Sequence, residues 1–213
     1  MSIHLTSLRG IHLAKRIFDL FFASIILFVL SPFIPVIALA IKLNSPGPVF
    51  YTQQRVGQYN NDKASLFNII KFRTMYQNCE NKSGAQWATD NDPRITSVGL
   101  FMRKTRIDEI PQLINVIRGE MSLIGPRPER PCFYPKLENA IPFFTERTYG
   151  VLPGITGLAQ VNQGYDTSID DVRRKVGFDH SYALSLCSFK NWLAMDMLIL
   201  FKTVTVVITG RGQ

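Results

Sequence analysis

The stretch LFFASIILFVLSPFIPVIALAI, residues 20–41, carries no charge between Asp19 and Lys42. It is long enough to cross a bilayer core, which takes about 20 apolar residues. Three readings compete for it. A signal peptide agrees with Lys15 and Arg16 upstream and with Ala38-Leu39-Ala40 as a cleavage-like triplet. Against it, a signal h-region is usually only about 7–15 residues long, and Pro32 and Pro35 crowd the triplet. An ordinary spanning helix meets Ser31-Pro32 near its middle, and each proline removes a backbone donor and clashes with the turn before it. Basic residues also flank both ends, Lys15 and Arg16 before, Lys42 and Arg55 after. The positive-inside rule puts both flanks on one side of the membrane. A helix that enters, breaks at Ser31-Pro32 and returns to the same face satisfies both facts, the Ser31 hydroxyl bonding a carbonyl freed by the break. Proline kinks inside true spans leave the second reading open.

The rest of the chain is long enough for one domain with its own core. The protein has 213 residues, 46% hydrophobic and 19% charged, against about 25% charged in ordinary soluble domains. High apolar content and the lack of like-charge blocks exclude disorder, and no repeat of about 20–50 residues points to a solenoid. Cys79, Cys132 and Cys187 are scattered, with no CxxC pair, so neither a disulfide framework nor a thiolate zinc site is indicated. His4, His12 and His180 show no metal-binding spacing, and GxSxG, GxGxxG and Walker patterns are missing. The net charge of +8 suits an anionic partner: nucleic acid, a phospholipid surface or a phosphorylated substrate.

Turn chemistry and periodicity divide the remainder. Asn44-Ser45-Pro46-Gly47-Pro48 reads as a turn, residues 49–53 and 65–72 as short strands, and Asn60-Asn61-Asp62 as the hairpin loop between them. Residues 77–97 read as a long polar loop. Apolar positions 110, 113, 114 and 117 mark a helix stopped by Gly119. Gly125-Pro126-Arg127-Pro128 and Pro153-Gly154-Ile155-Thr156-Gly157 read as rigid turns. The apolar stretch from Trp192 to Ile208 reads either as a core helix or as one at the membrane interface with Trp192 among the headgroups.

Asp108-Glu109 is the chemically pointed pair. A capping box from Thr105 to Asp108 is the plain structural alternative. It would put Pro111 deep inside the helix, where proline is costly, so the helix start moves to about 108–110. The acids then crown a helix N-terminus, which stabilises carboxylates and receives phosphates. Asp108 as a simple N-cap accounts for the same geometry. Arg103, Lys104 and Arg106 lie just upstream, Arg127 and Arg130 just beyond the helix, and Lys71 and Arg73 close the second strand. Carboxylates among guanidinium groups suit phosphoryl chemistry with Mg²⁺: arginine forks grip phosphate oxygens, and a carboxylate holds the ion or attacks phosphorus. Each arginine alone equally fits a solvated face or a lipid headgroup.

Taken together, these residues resemble the bacterial sugar transferase family, the small monotopic polyprenyl-phosphate phosphoglycosyl transferases. The resemblance runs from Lys15 to about residue 210, through Lys15-Arg16-Ile17-Phe18-Asp19, Ser31-Pro32, Gly47-Pro48-Val49-Phe50, Gln54-Arg55-Val56-Gly57 and Lys71-Phe72-Arg73-Thr74-Met75. It continues through Asp108-Glu109-Ile110-Pro111-Gln112-Leu113, Gly119-Glu120-Met121-Ser122, Gly125-Pro126-Arg127-Pro128 and Pro153-Gly154-Ile155-Thr156-Gly157. It implies transfer of a sugar-1-phosphate from a UDP-sugar to polyprenyl phosphate at the cytoplasmic face of the bacterial inner membrane, releasing UMP and starting glycan assembly.

By the same resemblance Asp108 is the nucleophile of a ping-pong reaction, and Glu109, with Asp108 near it, holds Mg²⁺. Arg103, Arg127, Lys71, Arg73, Arg55, Gln112, Gly154 and Thr156 form the phosphate and substrate set. Ser31 and Pro32 form the re-entrant break, and Lys15 and Arg16 lie at the membrane interface. The implied fold is α+β, helix-rich with a small β element: residues 1–42 as the N-terminal segment and re-entrant hairpin, residues 43–213 as one cytosolic catalytic domain with interfacial helices. One departure stands out. After Gln160-Val161-Asn162 many members carry Gly-Arg-Asn, and here Gln163-Gly164-Tyr165-Asp166 stands instead, leaving the sugar open and Arg173 or Arg174 as substitutes. The extra transmembrane helices of larger members are not in the sequence. A homodimer is left open. The rivals are a non-catalytic membrane scaffold for glycan assembly, which leaves the acidic pair unexplained, and a nucleic-acid binder, which explains only the charge; no nucleic-acid partner is expected because the basic residues are dispersed.

Overall fold

The computed structural model describes residues 2–60, 63–80, 84, 86–87, 92–163 and 168–209. Helix α1 (Ser2–Leu30) runs into a short 3₁₀ segment, Ser31–Phe33, and then α2 (Ile34–Asn44). The backbone stays right-handed helical at Leu30, Phe33 and Ile34. The Ser31 hydroxyl donates to the Phe28 carbonyl at 2.7 Å, as expected where Pro32 interrupts the ladder. The two arms do not lie along each other. Phe18, Ala23 and Leu27 of α1 join the main core, while Ile34, Ile37 and Ile41 of α2 pack with Phe72 and Met102. Ser31, Pro32 and Phe33 between them are exposed.

An antiparallel hairpin follows, β1 (Phe50–Asn60) and β2 (Lys63–Phe72), with Phe50 opposite Phe72 and Arg55 opposite Phe67. The first strand is longer than the expected residues 49–53, because backbone pairing with β2 carries the polar run Gln53-Gln54-Arg55 without needing an apolar side chain at every second position. A bulge lies between Val56 and Tyr59. Asn61 and Asp62, expected in the hairpin loop, lie outside the described residues.

The expected long loop ends in α3 (Ser97–Lys104), whose first turn is capped by Thr96 accepting from the Gly99 N–H at 2.9 Å. Gly99 is required there: a Cβ would stand 2.0 Å from the Thr74 carbonyl oxygen. Helix α4 (Gln112–Arg118) ends at Gly119, which takes the left-handed conformation that glycine tolerates.

The remaining elements are β3 (Ser122–Ile124), α5 (Tyr134–Ala140), β4 (Gly154–Thr156), α6 (Leu158–Asn162), α7 (Ile169–Ser185) and α8 (Phe189–Thr209). Residues 154–156, expected in a turn, form a strand parallel to β3, Ser122 opposite Gly154 and Ile124 opposite Thr156. The pairing is long-range, so local turn chemistry does not reveal it. Among the described residues the fold is thus helix-rich with two small sheets.

Asn115, fully buried on α4, fixes that helix against the hairpin. Its Oδ1 accepts from Ile70 N–H at 3.0 Å, and its Nδ2 donates to the Asn68 carbonyl at 2.8 Å. Arg16 of α1 donates to the carbonyls of Val116 and Ile117, closing the C-terminal end of α4. Lys15 points inward to Asp196 of α8 at 3.0 Å, and Asp196 also accepts from Tyr182 Oη at 3.0 Å and Trp192 Nε1 at 2.7 Å. Asp19 accepts from Leu123 N–H.

Lys15 and Arg16 thus act as staples between α1 and its neighbours. Trp192 is buried against the same network, as the core-helix reading of residues 192–208 expects at that position.

The Lys15–Asp196 pair tests how strongly α1 is tied to α8. Lys15→Ala leaves Asp196 buried without its cation, and the loss of stability should be about 3–5 kcal/mol, read as a lowered unfolding midpoint in detergent. Lys15→Met combined with Asp196→Leu should recover part of that loss.

Candidate active site

Pro111 shapes the local chain. It has no N–H to extend the α4 ladder backwards, and the preceding residues form a 3₁₀ turn, Ile107–Glu109, with Glu109 N–H donating to the Arg106 carbonyl at 3.1 Å. Thr105 is not a helix start. It closes α3, its hydroxyl donating to the Phe101 carbonyl at 2.9 Å. Between the two segments Arg106 adopts the left-handed conformation, φ 58° and ψ 14°. That conformation costs a non-glycine residue about 1–2 kcal/mol, and such strain tends to persist where the surroundings enforce it.

The turn buries both acids. Glu109 Oε1 is the common partner of three cations: Lys71 at the end of β2 at 2.8 Å, Arg127 at 3.4 Å and Arg106 at 3.8 Å. Burial alone would raise the Glu109 pKa, but Lys71, Arg127 and Arg106 outweigh it and hold the carboxyl well below the usual range. Asp108 goes the other way. Burial pushes its pKa up, Lys71 opposes, the neighbouring Glu109 charge pushes it further, and Arg103 and Arg106 oppose. Its Oδ1 is buried with no hydrogen-bond partner among the described residues. Two adjacent carboxylates with oppositely displaced pKa values are a recognised mark of a chemical site.

Arg127 is held from behind. The buried Arg147 donates to the Arg127 carbonyl at 2.7 Å and pairs with Asp179 of α7 at 2.7 Å. Arg55 donates to the Pro128 carbonyl at 3.2 Å, fixing the other side of the same turn. Burial, with Arg127 and Arg130 nearby, brings the Arg55 pKa down to about 10 despite Glu129, so it stays cationic at neutral pH. The turn itself rests on β4: Gly154 N–H donates to the Pro126 carbonyl at 2.9 Å, and a Cβ at Gly154 would lie 2.1 Å from Gly125 N.

The structure therefore gathers Asp108, Glu109, Lys71, Arg127 and Arg106, with Arg103 near enough to act on Asp108. Gln112 is buried at the start of α4, its Nε2 without a partner among the described residues. Arg73 is placed elsewhere: its guanidinium donates to the carbonyls of Ser45 and Pro46 and braces that turn against Gly47. Thr156 hydrogen-bonds Thr203 of α8 at 2.7 Å. Residues 164–167 of the departing segment lie outside the described residues. Arg173 and Arg174, considered as substitutes, pair with Asp170 and Asp171 on their own helix. Sequence reasoning noticed Arg106 only as one charge among several and passed over Arg147 entirely. The first carries no motif, and the second acts through a backbone carbonyl that no pattern announces.

Among the described residues no cluster of three or more His, Cys, Asp or Glu side chains forms a metal site. Mg²⁺ commonly takes one or two carboxylates and fills its shell with substrate phosphates and water. The buried, unpartnered Asp108 Oδ1 beside Glu109 fits that pattern.

Comparison with known proteins places the chain in a family. The bacterial sugar transferase family matches residues 11–210, and the protein belongs to that family. It is 48% identical, over 93% of its length and 44% of the relative's, to the UDP-N-acetylgalactosamine-undecaprenyl-phosphate N-acetylgalactosaminephosphotransferase of Aeromonas hydrophila. It is 39% identical, over 93% of its length and 41% of the relative's, to the UDP-glucose:undecaprenyl-phosphate glucose-1-phosphate transferase of Escherichia coli K12. A third relative, the exopolysaccharide production protein PSS of Rhizobium leguminosarum bv. phaseoli, is 38% identical over 93% of this chain and 97% of its own. The chain spans less than half the length of the first two.

Glu109→Gln should move the Asp108 titration down, because it removes the charge that raises it and leaves the opposing cations in place. Carboxyl-carbon NMR checks this. The same change has a stability signature. A depressed carboxylate stabilises the fold above its unfolded pKa of about 4.3, and that contribution is lost as pH falls towards the folded value. Acid unfolding of the variant should therefore be less steep.

Proposed function

We propose that the protein transfers a sugar-1-phosphate from a UDP-sugar to polyprenyl phosphate through a phosphosugar-aspartate intermediate, releasing UMP. The observation that carries this reading is Asp108: a buried carboxylate with an unpartnered oxygen, beside a Glu109 held ionised by cations from three segments. Ionised Asp108 attacks the sugar-bearing phosphorus; an Asp108 oxygen–phosphorus bond forms as the bond to UMP breaks. A phosphate oxygen of the polyprenyl acceptor then attacks the same phosphorus and Asp108 leaves as the carboxylate. Arg127, Arg103 and Lys71 bind non-bridging oxygens and offset the charge that builds there. Asp108 and Glu109 would hold Mg²⁺, which when bound neutralises diphosphate charge. Arg147 and Arg55 keep Arg127 in place.

The membrane reading rests on surface and topology. Helices α1–α2 and α8 are each long and apolar enough to cross a membrane by length and composition. Exposed apolar side chains include Phe28, Val36 and Leu39 on the first pair, Phe101 on α3 and Phe201 and Ile208 on α8. Exposed apolar side chains in this number mark a contact with lipid or protein. Both arms of the Ser31-Pro32 break pack on the same folded body, which favours re-entry from one face over a passage to the other. In this proposal that face is the cytoplasmic side of the inner membrane, as the family resemblance leads one to expect. A non-catalytic scaffold would share the surface and has no use for the Asp108–Glu109 arrangement.

The test is UMP release in detergent with undecaprenyl phosphate, Mg²⁺ and a panel of UDP-sugars headed by UDP-N-acetylgalactosamine and UDP-glucose, the sugars in the relatives' names. One donor should give acceptor-dependent UMP, and Asp108→Asn should lower turnover on the order of 10³-fold or more. The acid limb of kcat/KM should be displaced upward from that of an ordinary aspartate, because the raised Asp108 must lose its proton to act. Silence from folded wild-type protein across the panel favours the scaffold.

A further inference from the structure

Between α1 and α8 lies a cavity of about 270 Å³. Its walls are apolar, with Phe18 and Phe22 on one side and Leu200 and Val206 on the other, and Arg106 and Glu109 line it as well. Leu113 of α4 and Leu123 of β3 add to the apolar lining, and Phe22 at its side is exposed. A chamber with hydrocarbon walls and a guanidinium at its polar end complements an amphiphile with an anionic head and an apolar tail.

We propose that this cavity receives the first isoprene units of the acceptor and that Arg106 takes the acceptor's phosphate. The inference rests on the proposed function and adds to it a binding site and a residue. Arg106 suits the task for reasons of geometry. Its contact with Glu109, at 3.8 Å, is the longest of the three cations, whereas Lys71 at 2.8 Å already answers that carboxylate. Turning Arg106 towards a phosphate therefore leaves Glu109 compensated. The left-handed backbone at Arg106 ties the guanidinium to the turn that carries Asp108, so a phosphate bound there is held beside the carboxylate it must displace. A phospholipid would match the charge pattern too, and the experiment separates the two.

The full-length protein in detergent is titrated with undecaprenyl phosphate, undecaprenol and phosphatidylglycerol, and Kd is measured directly rather than through turnover. Val206→Trp fills the cavity and should weaken undecaprenyl phosphate and undecaprenol at least tenfold. Arg106→Gln removes the charged donor and should weaken only the phosphate, by about tenfold to a hundredfold. If neither variant changes Kd, the proposal is overturned. Phosphatidylglycerol that displaces undecaprenyl phosphate at equal concentration overturns it as well, in favour of a general lipid crevice. Thermal unfolding checks that each variant is folded; should Val206→Trp not fold, Val207→Phe fills the same wall. Failure of the two proposals is distinguishable: a wild type that binds undecaprenyl phosphate but releases no UMP fails the reaction, whereas turnover with variants that bind like wild type fails only the cavity.

Discussion

The carboxylate of Glu109 is the point on which the site converges. Lys71 arrives from the end of a strand, Arg127 from a turn supported by β4, and Arg106 from the strained link before the acidic turn. Three partly buried cations brought together repel one another, and partial burial weakens the water screening of that repulsion. One buried anion makes the cluster tenable. It also raises the proton affinity of the adjacent Asp108, so the same charge that organises the cations conditions the neighbouring carboxylate.

The second constraint is the long N-terminal helix, which does two jobs at once. Lys15, Asp19 and Arg16 bind it to α8, β3 and the end of α4, while its apolar residues continue beyond the body of the protein. Charges buried in this way contribute little net stability compared with an apolar packing, but they define which helices meet and in what register. That definition matters because the cavity beside Glu109 is formed by α1 and α8 together. The chain thus couples the position of an apolar helix to the shape of the space next to its acidic pair.

Much of this was legible in the linear chain. Pro111 after Asp108-Glu109 made a capping box at Thr105 costly, and Thr105 ends α3; the acids form a 3₁₀ turn, and α4 starts at Gln112 rather than at the expected 108–110. The apolar stripe of residues 110–117 and Gly119 read correctly as a helix and its stop. Ser31-Pro32 read correctly as an interruption. What escaped shares one property. The β3–β4 pairing, the Arg147 bond to the Arg127 carbonyl, the diversion of Arg73 to Ser45 and Pro46, and the inward turn of Lys15 each join residues distant in sequence. Local pattern carries no information about such partners.

By itself the sequence determined the helical periods, the proline and glycine punctuation, the acidic pair and the motifs that mark the family, since each depends on neighbours a few residues away. The tertiary structure alone decided which basic residues serve the acidic pair and which serve the fold. A guanidinium reads the same in any sequence; its role is set by the carboxylate or carbonyl that packing places within about 3 Å of it.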